Sequence, residues 1–188
     1  MIIDFLTSNS IKFKVGQAVL EEYQKKGLFH EITLRQNSIA LDEIQSLDVR
    51  KIAVHSAKQA YRLLKRPIAV TDAGLYVEGL NGFPGPFLKF MNYWFQPEDI
   101  LRLMHDRENA KAEVRECLAI ADLDGNITTW DAVFQGRIAG KPSERTGTTM
   151  ERIFIPKGAE RVVADMTEEE QLRYWQTDCA WEKWFGSL

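Results

Sequence analysis

The stretch Ile68–Phe90, IAVTDAGLYVEGLNGFPGPFLKF, constrains this chain more than any other. A short apolar run, Ile68-Ala69-Val70, gives way to Thr71-Asp72 and then to Ala73-Gly74. A carboxylate at the C-terminal end of a buried strand, beside a glycine, sits where α/β folds tend to place their chemistry. Next comes Asn81-Gly82-Phe83-Pro84-Gly85-Pro86, with two glycines and two prolines in six residues. That composition predicts an ordered, tightly turned loop, and Lys89 follows it closely. A carboxylate, a shaped loop and a lysine suggest a site for a metal and a phosphate.

The rest of the chain reads as alternating helices and strands. Ile2–Leu6 is a first strand, and from Ser10 to about Lys26 the pattern turns helical, with Ile11, Val15, Val19 and Leu20 on one face and Gly27 as the stop. Ile32–Gln36 is a second strand. Residues 48–64 form an amphipathic helix with Asp48 as its N-cap, ended by Pro67. Pro97 to His105 is a short helix, and the apolar runs on either side of Asp124-Gly125 make a hairpin. Ile153–Ile155 is a brief strand, and Thr167-Glu168 opens a last helix through Trp175. The expected fold class is α/β: a long mixed twisted sheet flanked by helices, in two lobes with a central cleft. At 188 residues the chain is expected to form a single domain over 1–188.

Composition narrows the function. With 45% hydrophobic and 27% charged residues, this is an ordinary soluble globular chain. A net charge of -3 argues against a nucleic-acid partner, while leaving room for a local basic pocket. The three histidines are scattered and nothing resembles a zinc cluster. Cys117 and Cys179 read as reduced thiols, Cys117 in the core. No apolar run approaches a membrane span, and MIIDFLTSNS is too short and acidic for a signal peptide, so the cytoplasm is the expected location.

Several residues carry candidate chemistry, each with a plain alternative. The turn Thr7-Ser8-Asn9 offers hydroxyls, an amide and free backbone N–H groups at a helix N-terminus, and Lys12 can reach back to it. By itself that is also a good helix cap followed by a surface lysine. Glu43 is a loop carboxylate, usually solvated. Asp72 is a candidate base, or simply a strand-end turn residue. The aromatics Phe83, Phe87, Phe90, Tyr93, Trp94 and Phe95 read as core or dimer contact, and Trp175, Trp181 and Trp184 as an apolar helix face or a partner surface.

Taken together, TDAGL, NGFPGPFLK and the opening TSNSIK resemble the signature of the inosine triphosphate pyrophosphatase family, which hydrolyses non-canonical purine nucleoside triphosphates. The similarity runs from residue 7 to about residue 166. It implies catalytic roles for Asp72 and Lys12, and substrate contacts at Thr7, Ser8, Asn9, Lys12, Gly74, Lys89, Glu151 and Gln176. It also implies a Mg²⁺ cofactor held by Glu43 and Asp72, a nucleoside triphosphate of unknown base as substrate, and a homodimer. Mg²⁺ suits such a site, because it prefers a few hard oxygen ligands plus waters and phosphates.

Four departures from the family's pattern matter. Thr71 stands where the first acid of a pair is expected, and Ser56 where the second helix should carry a lysine. Gly147-Thr148-Thr149-Met150-Glu151-Arg152 replaces a segment with a base-stacking aromatic. Trp175-Gln176-Thr177 replaces the Ser-His-Arg that reads the purine 6-keto group, leaving Gln176 as the candidate hydrogen-bonding group. The first expectation is therefore a metal-dependent nucleoside triphosphate pyrophosphatase with altered base specificity. The alternatives are a catalytically silent nucleotide-binding protein, or a hydrolase of another phosphate-containing metabolite.

Overall fold

The computed structural model describes all 188 residues. It is a mixed α/β fold: one seven-stranded sheet with helices on its flanks. The chain runs β1 (Ile2–Leu6), α1 (Ser10–Lys25), β2 (Thr33–Asn37), α2 (Val49–Leu64), β3 (Ile68–Val77), β4 (Pro84–Gly85), α3 (Leu88–Trp94) and α4 (Pro97–Leu103). It continues through β5 (Lys111–Ala121), β6 (Ile127–Ile138), α5 (Thr149–Ile153), β7 (Phe154–Pro156), α6 (Glu168–Gln176) and α7 (Ala180–Phe185). The strand order is β2-β1-β3-β5-β6-β7, with β4 paired to β3. The chain divides into two compact units: Met1–Asp72 with Glu116–Ala132 and Trp175–Leu188, and Ala73–Arg115 with Val133–Tyr174.

In the first unit, β1 pairs in parallel with β2 and β3, the arrangement that crossover helices α1 and α2 require. Asp48 caps α2 as expected, accepting from the Arg50 N–H, and Gly27 follows α1 at φ +84°, a left-handed conformation that favours glycine. The two faces of the sheet are told apart by what they bury. Leu6, Ile68, Val70, Cys117, Ala119 and Ala121 pack with Val49, Ala53, Ala57 and Ala60 of α2. Phe5, one residue from Leu6, meets Phe13 of α1 and Trp181 of α7, with ring centroids 6.3 and 4.9 Å away. Because side chains alternate along a strand, Asp72 follows Ile68 and Val70 onto the α2 face, while Thr71 and Glu116 fall on the α1 face.

Asp4 is the buried charge of this unit. Its strand partner across β2 is Arg35, whose Nε donates to Oδ1 at 2.6 Å, and Arg66 pairs with Oδ2. Burial works against ionisation, but the Arg35 hydrogen bond and the charges of Arg66 and Arg35 outweigh it and hold the carboxyl below its ordinary range.

The second unit contains the Gly/Pro loop and the short helices. Asn81, Gly82 and Gly85 adopt positive φ, and the Phe83–Pro84 peptide bond is cis. Met150 N–H donates to Asn92 Oδ1 at 3.0 Å, and Thr149 Oγ1 to the Phe95 carbonyl, tying α5 to α3 and its C-terminal end.

Several sequence expectations are corrected. β3 does not stop at Thr71-Asp72 but continues to Val77, so Asp72 is mid-strand. The apolar run ends at Val70, yet the backbone stays extended because β3 lies inside the sheet, between β1 and β5, with β4 pairing to Leu75 and Tyr76. Helices α3 and α7, too short for a clear periodicity, were not anticipated. Of the two readings of Trp181 and Trp184, the apolar helix face holds, since both are buried on α7, whereas Tyr93 and Trp94 of α3 are 80% and 67% exposed and are not core.

Candidate active site

The opening turn is organised by its own side chains. Thr7 Oγ1 accepts from the Asn9 N–H at 3.1 Å, and Asn9 Oδ1 accepts from the Lys12 N–H at 3.1 Å, making Asn9 the N-cap of α1. Gln36 Nε2 donates to the Thr7 carbonyl at 3.0 Å and fixes the turn from β2. With Oδ1 engaged, the Asn9 amide offers N–H donors to a ligand, as an anion site at a helix N-terminus requires. Ser8 is exposed and Lys12 half-buried.

Register brings this turn to the level of Asp72. Leu6 pairs with Val70 in the parallel β1–β3 ladder, so Thr7 lies one residue past the last pair and Asp72 two residues past it. β1 has ended there, and β4 joins β3 only at Leu75. Residues 71–74 therefore lie between the β1 pairing and the β4 pairing of β3. The Thr71 hydroxyl in this gap is buried and makes no hydrogen bond.

Glu43 is exposed, in the irregular segment between β2 and α2. Its neighbour Asp42 is bonded twice to Gln59 of α2: Asp42 N–H donates to Oε1 at 2.9 Å, and Nε2 donates to Oδ2 at 3.0 Å. The Glu43 segment is thus attached to the helix that covers the Asp72 face of the sheet. No group of three or more His, Cys, Asp or Glu comes together to make a protein-only metal cage. Mg²⁺ needs no such cage, because it usually takes one or two carboxylates and completes its shell with water and phosphate. Ser56, where the resemblance expects a lysine, is buried one turn before Gln59.

The second unit holds Gly74, Lys89 and Glu151. A Cβ at Gly74 would stand 2.6 Å from the Gly85 carbonyl oxygen, so glycine is required for the Pro84–Pro86 backbone to pass. Gly74→Ala is expected to destabilise the protein by about 3 kcal/mol, the upper part of the usual overpacking range; a thermal melt equal to wild type would disprove the close approach. Lys89 is exposed in the first turn of α3. Glu151 serves a capping box: Oε2 accepts from the Thr148 N–H at 2.7 Å, and Thr148 Oγ1 accepts from the Glu151 N–H at 3.3 Å.

Gln176 belongs to the first unit, where its Nε2 donates to Glu22 Oε1 at 2.8 Å. Glu22 lies ten residues along α1 from Lys12, about 15 Å at the helical rise. The amide donor expected to read a base edge is therefore engaged by an acid well along the helix.

Sequence reasoning missed Glu116. Burial pushes its carboxyl up, and the charge of Lys12 opposes the shift. An acid directly before the apolar run Cys117–Ala121 was the available signal. Burial likewise pushes the Cys179 thiol up to about 11 and Cys117 higher, so neither supplies a thiolate near neutral pH.

Comparison with known proteins matches this architecture. The sequence fits the Ham1 family across residues 3–184. The chain belongs to the Ham1 family. A dITP/XTP pyrophosphatase of Methanopyrus kandleri is 31% identical over 173 residues, covering 92% of this chain and 88% of the relative. An inosine triphosphate pyrophosphatase of Candida glabrata is 32% identical over 173 residues, covering 89% and 86%. Among solved structures, a HAM1 protein from Coxiella burnetii superposes with a TM-score of 0.78 over 100% of this chain and 98% of that one. At 17% identity, that likeness speaks for the fold alone.

Proposed function

We propose that this Ham1-family chain, acting as one domain over residues 1–188, is a Mg²⁺-dependent nucleoside triphosphate pyrophosphatase that converts a triphosphate and water to a monophosphate and pyrophosphate. The observation that supports the reading is the register of β1 and β3, which brings the turn that follows β1 level with Asp72 of the adjacent parallel strand. The backbone N–H groups of the turn, the Asn9 amide and Lys12 bind the polyphosphate. Asp72 takes the proton of the attacking water as the α–β anhydride bond breaks and pyrophosphate leaves. Mg²⁺, held by Glu43 and Asp72, would neutralise phosphate charge. Gly74, Lys89 and Glu151 are the remaining proposed substrate contacts, Lys89 for its positive charge towards phosphate. Release of pyrophosphate across a nucleotide panel, with and without Mg²⁺, tests the reading; no metal-stimulated release would favour a silent nucleotide-binding protein. Thr71 and the buried Ser56 are the observations on that side.

Base selectivity is expected to differ from that of the named relatives. Gln176 is held by Glu22, and Thr148 caps α5 where a stacking aromatic would stand. Discrimination of ten-thousandfold needs a dedicated hydrogen-bonding partner for the base. We therefore expect no strong preference for inosine or xanthosine triphosphate over the common purine nucleotides in kcat/KM. A preference of a hundredfold or more, about 2.7 kcal/mol in transition-state binding, would show that other residues read the 6-keto group. The same reading makes the protein a cytoplasmic homodimer; the exposed Tyr93 and Trp94 of α3 are compatible with a subunit contact, and sedentation by ultracentrifugation tests it.

A further inference from the structure

We propose that Gln59 is a positioning residue: paired with Asp42, it clamps the segment that carries Glu43 onto α2 and so sets the place of the metal-binding carboxylate. The inference rests on the reading of Glu43 as a Mg²⁺ ligand. Residues 38–47 have no helix or strand of their own. Ile39 and Leu41 pack against the core shared with α2, but residues 42–45 are exposed. Further along the segment, Ser46 Oγ accepts the Asp48 N–H at 3.1 Å, at the start of α2. Between these anchors, the hydrogen bonds of 2.9 and 3.0 Å between Asp42 and Gln59 are side-chain ties from the segment to the helix, and Glu43 is the next residue.

Their chemistry is reciprocal. Asp42 gives a backbone N–H and receives on its carboxylate, while Gln59 receives on Oε1 and gives from Nε2. Glutamine supplies both halves in one side chain. A glutamate at 59 would keep the first bond and turn the second into two facing carboxylates. An asparagine at 42 can accept from Gln59 in place of the aspartate, or donate to a glutamate placed at 59. The pair therefore has a built-in rescue. Groups that orient a metal ligand typically cost ten- to a hundredfold in metal affinity or activity when lost.

The experiment compares wild type, Asp42→Asn, Gln59→Glu and the double variant. It measures hydrogen exchange of the 42–47 amides without ligand, Mn²⁺ binding by water-proton relaxation, and the Mg²⁺ concentration giving half-maximal pyrophosphate release. Gln59→Glu is expected to speed exchange in the segment and to weaken both metal measures by about tenfold, with the melting temperature unchanged. Asp42→Asn should behave like wild type, and Asp42→Asn/Gln59→Glu should recover. Unchanged exchange in Gln59→Glu overturns the clamp. Faster exchange with unaltered metal affinity overturns its role in positioning Glu43, as does a double variant no better than Gln59→Glu. A wild type that binds Mn²⁺ yet releases no pyrophosphate counts against the proposed activity instead, and the clamp is then scored on exchange and Mn²⁺ binding.

Discussion

Asp72→Asn is expected to lower kcat for triphosphate hydrolysis by about a thousandfold or more, a loss of about 4 kcal/mol in transition-state stabilisation. Asparagine keeps the shape of the side chain but removes the charge that would share the metal and the lone pair that would take the water proton. The position is only half-buried and lies beyond the β1–β3 pairing. The melting temperature should therefore hold. Pyrophosphate release at saturating nucleotide and Mg²⁺, set beside a thermal melt of the same preparation, separates the two effects. Full activity in Asp72→Asn would remove the residue from the mechanism.

Asp4→Asn is expected to be strongly destabilising, although Asp4 plays no part in the chemistry. Its carboxylate is fully buried, while the Arg35 and Arg66 side chains are 47% and 41% exposed. Removing one partner of a buried pair costs about 3–5 kcal/mol, and the low end applies because both guanidinium groups can recover water. For a chain of this size, about 3 kcal/mol lowers Tm by about 6–12 °C. The folded carboxyl lies below its ordinary range, so its contribution is complete above that range and is lost as pH falls through the folded value. Unfolding followed against pH should show wild type losing stability on the acid side, with a shallower slope in Asp4→Asn. A variant as stable as wild type at neutral pH would contradict the buried pair.

Local patterns made much of the fold legible. The period of α1 and α2, the Asp48 cap, the stop at Gly27 and the Asp124-Gly125 hairpin each depend on residues a few positions apart. The extent of β3 was not legible, because Thr71–Gly74 carries no apolar alternation and is kept extended by its place in the sheet. The candidate site divides the same way. TSNSIK announced a capped helix with a lysine one turn in, and that is its geometry. Nothing near Gln176 in the chain signalled its bond to Glu22, 154 residues away.

The sequence by itself determined the family, the α/β class, and the residue types available for binding a polyphosphate, because these are written in short-range order and composition. Tertiary structure alone decided which aromatics are core: Trp181 packs against Gly16, with its ring 2.9 Å from where a Cβ would stand, while Tyr93 and Trp94 stay exposed. It also decided which face of the sheet Asp72 shares with α2, and that Asp42 and Gln59 meet beside Glu43. The physical reason is common to all of these. A strand's alternation fixes that neighbouring side chains part to opposite faces, but only the helices packed on each face determine what each side chain meets.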